Sequence, residues 1–258
     1  MSTLPIWAEP APGSRKPRFT RDQIAAAELA IADKEGFDAL SMRRIAETLG
    51  AGTMTLYYYV RTKHDLLALM DDALMAEVVA KSQPLPAGWR AAVSMIARAT
   101  WSTFMRHPWA LHEMDENRLV GPNVLRHIEL SLEAVSTLPL PEAARHEILA
   151  LVDDFVFGSV MRNHEHVPVE KQTASVLNVL TKEFLALGHY PQLTALIGDR
   201  EPVDVFIEYG ANVPNEDRFE RGLAMLLDGY AAMHGLAPAT AKRRSRSSKP
   251  RRARSAGR

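Results

Sequence analysis

Residues 41–63 read SMRRIAETLGAGTMTLYYYVRTK, and how they fold decides the rest. Ser41 is a good N-cap, and Ile45, Ala46 and Leu49 recur on one helical face behind it. Gly50 follows where a helix stops at least cost. A second, short helix starts at Thr53, another cap candidate, carries Leu56, Tyr57 and Tyr59, and ends near Val60. Thr62, with Asp65 three residues on, caps the next helix. Helix, glycine turn and short helix fit a helix-turn-helix, whose second helix lies in the DNA major groove. The bland alternative is a corner of an ordinary helical protein. Against it stand the hydroxyls of Thr53, Thr55, Tyr57 and Tyr59, flanked by Arg43, Arg44, Arg61 and Lys63. A helix so short has little core to offer and suits a polyanion.

Residues 19–70 resemble the N-terminal domain of the TetR family of bacterial transcriptional regulators. The resemblance is carried by GAGTMTLYYYVRTKHDLL and by FTRDQIAAAELAIADKEGFDALSMRRIAETLG before it. RFERGLAMLLDGYAA, residues 218–232, is similar to the last core helix of a tetracycline-repressor-like C-terminal domain. The resemblance implies that Arg43, Thr53 and Met54 contact bases, and that Thr55, Tyr57, Tyr59 and Lys63 hold phosphates. Tyr58 then faces away from the groove. Met54 and Tyr59 stand where the family's archetype has Pro and His, so its operator does not transfer. The resemblance also implies a homodimer reading a pseudo-palindromic site on double-stranded DNA, with a small-molecule effector in the body.

The 258 residues suffice for one large or two small domains, and 47% are apolar. There is no Cys, hence no disulfide, thiolate chemistry or zinc-finger ligand set. The first residues lack the pattern of a secretory leader and no run approaches a membrane span, so a cytoplasmic location is expected. The formal net charge is zero, but the average hides a mildly basic head, an acidic body and a tail of nine cations without an acid. Near a surface the field is local, so a basic site on a neutral protein still binds phosphate.

In chain order, residues 1–17 are a Pro-rich, disordered arm; Arg15, Lys16 and Arg18 around its end are either a solvated basic run or a segment that follows the DNA backbone or enters the minor groove. Residues 18–65 form the helix-turn-helix domain. Its first helix spans Thr20 to Glu35, and Thr20 reaches a phosphate from that helix's N-terminus. Residues 66–236 form a helical ligand-binding and dimerisation domain, and 237–258 a disordered basic tail. The helix from Thr62 towards Lys81 is the mechanical link. Further helices are expected at 89–107, 109–117, 124–137 (burying Leu125, Ile128, Leu132 and Val135), 142–163, 170–187 and 216–233. Residues 188–215 are ambiguous: HYPQLTALIG is compatible with a helical turn, and EPVDVFIEYGANVP reads as loop with a short extended piece. The fold expected is all-α, a three-helix head on a helical body.

Two body helices, 142–163 and 216–233, are apolar over more than one face. A second copy can cover the excess in a four-helix interface through Phe157, Val160, Leu223, Leu226, Leu227 and Tyr230. Trp101, Phe104, Met105, Trp109, His112, Phe155 and Met161 are either core or the lining of a pocket for an apolar or aromatic molecule. His164 and His166 bracket Glu165 at a spacing poor for one helix face, so no metal and no cofactor is expected. No phosphate loop, nucleophile elbow or HExxH motif points to an enzyme. The function expected is a sequence-specific regulator, a repressor released by its ligand. The alternatives are an activator of the same fold, a DNA-organising protein held mainly by its tail, and a ligand-binding module with a vestigial head.

Overall fold

Local capping chemistry sets three of the first four helices. The structure is a computed structural model that describes residues 6–7, 18–111, 120–164, 171–211 and 216–236. Thr20 caps α1 (Arg21–Glu35): its hydroxyl accepts from the Gln23 amide at 3.1 Å, and its own amide donates to Gln23 Oε1 at 2.9 Å. Ser41 caps α2 (Met42–Thr48) by accepting from the Arg44 amide. Gly50, at φ 63°, then reverses the chain, and the Ala51 N–H closes on the Ala46 carbonyl at 2.9 Å. α3 (Thr53–Tyr57) is shorter than expected: Gly52 is its cap, without a side-chain bond, and Tyr58–Tyr59 already turn towards Val60. Thr62 and Asp65 form a reciprocal cap on α4 (Lys63–Lys81).

The body holds α5 (Trp89–Arg106), α6 (Pro122–Val135), α7 (Glu142–His164), α8 (Lys171–Ala186), α9 (Pro191–Ile197), α10 (Pro202–Ala211) and α11 (Glu216–Met233). The chain is all-α, with no strand among the described residues. Of the ambiguous stretch 188–215, the part that allowed a helical turn carries α9, and the part expected as loop with an extended piece carries α10 instead. Pro191 and Pro202 open these helices, at the position where a missing N–H costs nothing. Asn178 of α8 accepts the Val203 amide at 2.7 Å, and Ile197, Val203 and Val205 are buried. On α6, Val135 is buried as expected, but Leu125, Ile128 and Leu132 are exposed, and Leu130 and Ala134 face the core instead. α4 and α5 pack on that other face. After α5 only a 3-10 turn, Pro108–Leu111, is described of the short helix expected at 109–117.

Three apolar clusters follow one another along the molecule. The head cluster joins Ile24, Ile45, Leu56, Val60, Leu66 and Leu69. Ile6 is buried in it and Trp7 packs against it. These two positions of the expected arm are therefore docked. The rest of residues 1–17, and the tail from 237, lie outside the described residues. A joint cluster brings Leu29 of α1 together with Met70, Leu74 and Val78 of α4, Phe104 of α5 and Val160 of α7. The body cluster packs α5, α6, α7 and α11 around Ile148, Val152, Val156, Phe219, Leu223 and Leu227.

One polar side chain breaks this pattern. Glu28 of α1 is fully buried, and neither carboxyl oxygen has a hydrogen-bond partner among the described residues. Burial pushes its pKa well above the ordinary carboxylate range. The folded chain holds this proton more tightly than the unfolded chain does. The contribution to stability is therefore full below the ordinary carboxylate range and is lost as pH rises through the folded value. Glu28→Gln should raise the thermal unfolding midpoint at about pH 8 and leave it nearly unchanged at about pH 4; unfolding scans at both values check this.

Candidate nucleic-acid interface and body clefts

α3 is fastened from behind. Leu56 and Val60 have no exposed surface and plug it into the head cluster, so its other face is presented to solvent. Met54 is 82% exposed, an apolar side chain with no use inside the protomer. Tyr57 is exposed, and Thr53 and Thr55 are half-buried beside it. Tyr58, expected to face away, is exposed as well. Tyr59 is half-buried edge-on to Phe19, and its hydroxyl accepts the Arg18 amide at 3.0 Å. Its own proton remains available for an outside acceptor. Lys63 is exposed at the start of α4, its ammonium 5.5 Å above the Phe37 ring. Thr20 lies exposed at the N-terminus of α1, next to Arg18.

The cations around this face differ in freedom. Arg18 donates to the Gly50 carbonyl at 2.8 Å and so clasps the turn between α2 and α3. Arg15 and Lys16 lie outside the described residues. Arg44 makes two bonds to Glu35, of 2.9 and 2.5 Å, and holds the Glu35 carboxyl below its ordinary pKa. Arg43, with its side chain 85% exposed, bonds Glu47 through Nε at 2.9 Å.

Polar bonds that the sequence did not reveal tie head to body. Asp33 of α1 accepts Trp109 Nε1–H at 2.8 Å and lies 2.7 Å from Nδ1 of buried His107. His107 Nε2 lies 3.5 Å from Glu77 of α4, which also pairs with Arg106. Trp109 stacks on Phe37 at 5.9 Å. Further along α4, buried Asp72 accepts from the Asn123 amide at 2.8 Å and Asn123 Nδ2 at 2.7 Å, covering the N-terminus of α6. Gly121 makes room for it, since a Cβ there would lie 2.2 Å from the carboxylate. Nothing local signals an Asp33–His107 bond across 74 residues; the helix break at Pro108 is the only nearby mark.

Among the described residues, Trp101 and Phe155 of the expected pocket set line two separate clefts. Phe219 of α11 is sandwiched between Trp101 at 4.8 Å and Phe155 at 5.5 Å. Phe104 is fully buried edge-on to Phe157. Trp109 belongs to the joint, Met161 is exposed, and Met105 is half-buried with Asn163 Nδ2 at 3.3 Å from its sulfur. His112 lies outside the described residues. Trp101 lines a cleft of about 360 Å³ with Lys81, Arg98 and Ser102; Phe155 lines a groove of about 570 Å³ between α7 and α11. Trp101 Nε1 and His127 Nδ1 are among the buried polar atoms without a hydrogen-bond partner among the described residues. Burial pushes the His127 pKa down, which favours its neutral ring.

The expected interface set also needs correction. Val160, Leu223, Leu227 and Tyr230 are buried inside the protomer; Tyr230 bonds the Ala144 carbonyl at 2.5 Å. Phe157 packs towards Phe104, and Leu226 is half-buried against the body cluster. Part of the apolar surface of these helices is covered by α5 and by the α7–α11 contact. The outward faces carry Leu151, Met161, Met225 and Met233. No helix among the described residues is long and apolar enough to cross a membrane.

Comparison with known proteins covers both parts of the chain. Residues 24–70 match the model described as bacterial regulatory proteins, tetR family, and 83–234 match the tetracyclin repressor-like C-terminal domain. The HTH-type transcriptional repressor DrrR1 of Streptomyces coeruleorubidus is 31% identical over 225 residues, 84% of this chain and 79% of its own. An HTH-type transcriptional regulator of Saccharopolyspora erythraea is 30% identical over 238 residues, 90% of this chain and 93% of its own. The structure resembles ActR of Streptomyces coelicolor, solved free (TM-score 0.63, 26% identity, 86% of this chain and 99% of that one) and with actinorhodin (0.57, 26%, 84% and 99%).

Asp33→Ala should leave the His107 and Trp109 ring nitrogens without their acceptor, at a cost of roughly 1–3 kcal/mol. A drop in the thermal midpoint of about 2–4 °C per kcal/mol is the expected readout.

Proposed function

The chain belongs to the TetR family of bacterial regulatory proteins, a sequence-specific DNA-binding transcriptional regulator, and from that premise we propose that it is a cytoplasmic, homodimeric repressor released from its operator by a small molecule. The observation that carries this reading is the presented face of α3: exposed Met54 and Tyr57, with Thr53 and Thr55, on a helix plugged into the head by Leu56 and Val60. Arg43, Thr53 and Met54 meet base edges, an Arg reaching guanine O6 and N7 being the commonest direct readout. Thr20, Thr55, Tyr57, Tyr59 and Lys63 hold phosphates, and the residues before α1, Arg15, Lys16 and Arg18, follow the backbone. Arg18 does so while tied to Gly50.

The outward faces of α7 and α11 meet their copies around a two-fold axis. Within the protomer, Gly222 leaves room for the Phe155 ring, which a Cβ there would approach to within 2.6 Å. The paired heads then sit about 34–36 Å apart and read a pseudo-palindrome. The bound complexes of ActR support a small-molecule effector in the body, and the aromatic side chains there favour an apolar or aromatic one. Ligand in the body shifts α4, changes the separation of the heads and weakens the operator fit. A complete switch needs roughly 5.5 kcal/mol of differential binding.

Selection of duplexes from a random library tests the reading: a two-fold-related motif is expected, and sequence-blind binding would refute it. Arg43→Ala should cost about 1–3 kcal/mol and relax one position per half-site, whereas Lys63→Ala should weaken all sequences alike and flatten the salt dependence by about one counterion. Met225→Glu, on the outward face of α11, should yield a folded protomer by light scattering that no longer selects the palindrome.

A further inference from the structure

Arg43 has to arrive at a base edge in one orientation, yet it is a long side chain on a short, solvent-facing helix. Two residues behind it limit its freedom. Glu47 lies one turn further on α2, and its Oε1 accepts Arg43 Nε–H at 2.9 Å. Glu47 in turn lies against Arg44, whose Nη1 is 4.0 Å from the other carboxylate oxygen. Arg44 does not move freely: Glu35 at the end of α1 grips it by two bonds, and its Nη1 donates to Thr48 Oγ1 at 3.2 Å. A row of alternating charges, Glu35, Arg44, Glu47 and Arg43, thus runs from the body of the head to its DNA-facing edge.

The chemistry of the guanidinium gives this row a purpose. Arginine has a side-on pair of donors, Nε with one amino group, and an end-on pair, its two terminal amino groups. With Nε engaged by Glu47, only the end-on pair is left to grip two acceptors on one base. We propose that Glu47 is a positioning residue for base reading, holding Arg43 end-on towards the guanine edge. The inference rests on Arg43 being a base reader. It adds that selectivity depends on an acidic residue, although removing an anion beside phosphates should by itself strengthen DNA binding. The two effects of Glu47 therefore have opposite signs, which makes its role separable from a merely structural one.

The test uses the full chain and its Glu47→Ala, Glu47→Gln, Arg43→Ala and doubly substituted forms. Each is titrated on the selected site, on its single-base variants and on a random duplex. Glu47→Ala should lower base preference by about 2- to 10-fold, the range set by ordering one long side chain, and only at the position that Arg43→Ala flattens. Its affinity for the random duplex should hold or rise. Glu47→Gln, which keeps an acceptor without the charge, should keep most of the preference. In the double variant, loss of Glu47 should add nothing to loss of Arg43. Wild-type preference at that position in Glu47→Ala overturns the inference and leaves Arg43 as a base reader. Equal weakening at every position also overturns it. An Arg43→Ala protein that relaxes no position removes both readings.

Discussion

One helix belongs to two cores. α4 places Leu66 and Leu69 in the head cluster and Met70, Leu74, Met75 and Val78 in the joint. Burying a side chain of this size is worth about 1.5–3 kcal/mol, so neither end can leave its core without losing several such contributions. Polar bonds fix the same helix at intervals: the Thr62–Asp65 cap, Asp72 on the start of α6, Glu77 with Arg106, and Lys81 on Thr103 at 2.9 Å. At 19 residues and 1.5 Å per residue, α4 is a lever of about 28 Å. A shift of the body around it must either move the head or break packed contacts.

The second tie, Asp33 with His107 and Trp109, runs beside this lever and joins α1 to the turn that follows α5. Head and body are thus connected twice, once through apolar packing and once through a polar grip. Two connections restrain rotation where one would allow swivelling. That suits the proposed dimer, in which the spacing between two recognition helices would carry the message.

Much of the head was legible because its signals are local. Thr20, Ser41 and Thr62 act on amides three residues away, and Gly50 bends its own backbone. The all-helical class followed from periodicity alone. The body was less legible, since periodicity shows that a face is apolar without naming what covers it. Leu125, Ile128 and Leu132 repeat like a core stripe yet lie outside, while Leu223, Leu227 and Tyr230 turn inward within one protomer. Residues 201–214 read as loop with an extended piece, yet α10 starts at Pro202, held by the Asn178 bond and by buried Val203. Charged pairs were the least visible. The partners of Arg44, Asp72 and Asp33 lie 9, 51 and 74 residues away, and no rule of spacing connects them.

Native-state hydrogen exchange along α4 tests the shared lever most directly. If head and body are one mechanical unit, amides from Leu66 to Met70 and from Leu74 to Val78 open in a single event, with equal free energies and equal dependence on denaturant. Opening of the head-facing half at a clearly lower free energy, with Leu74 to Val78 still protected, would contradict it.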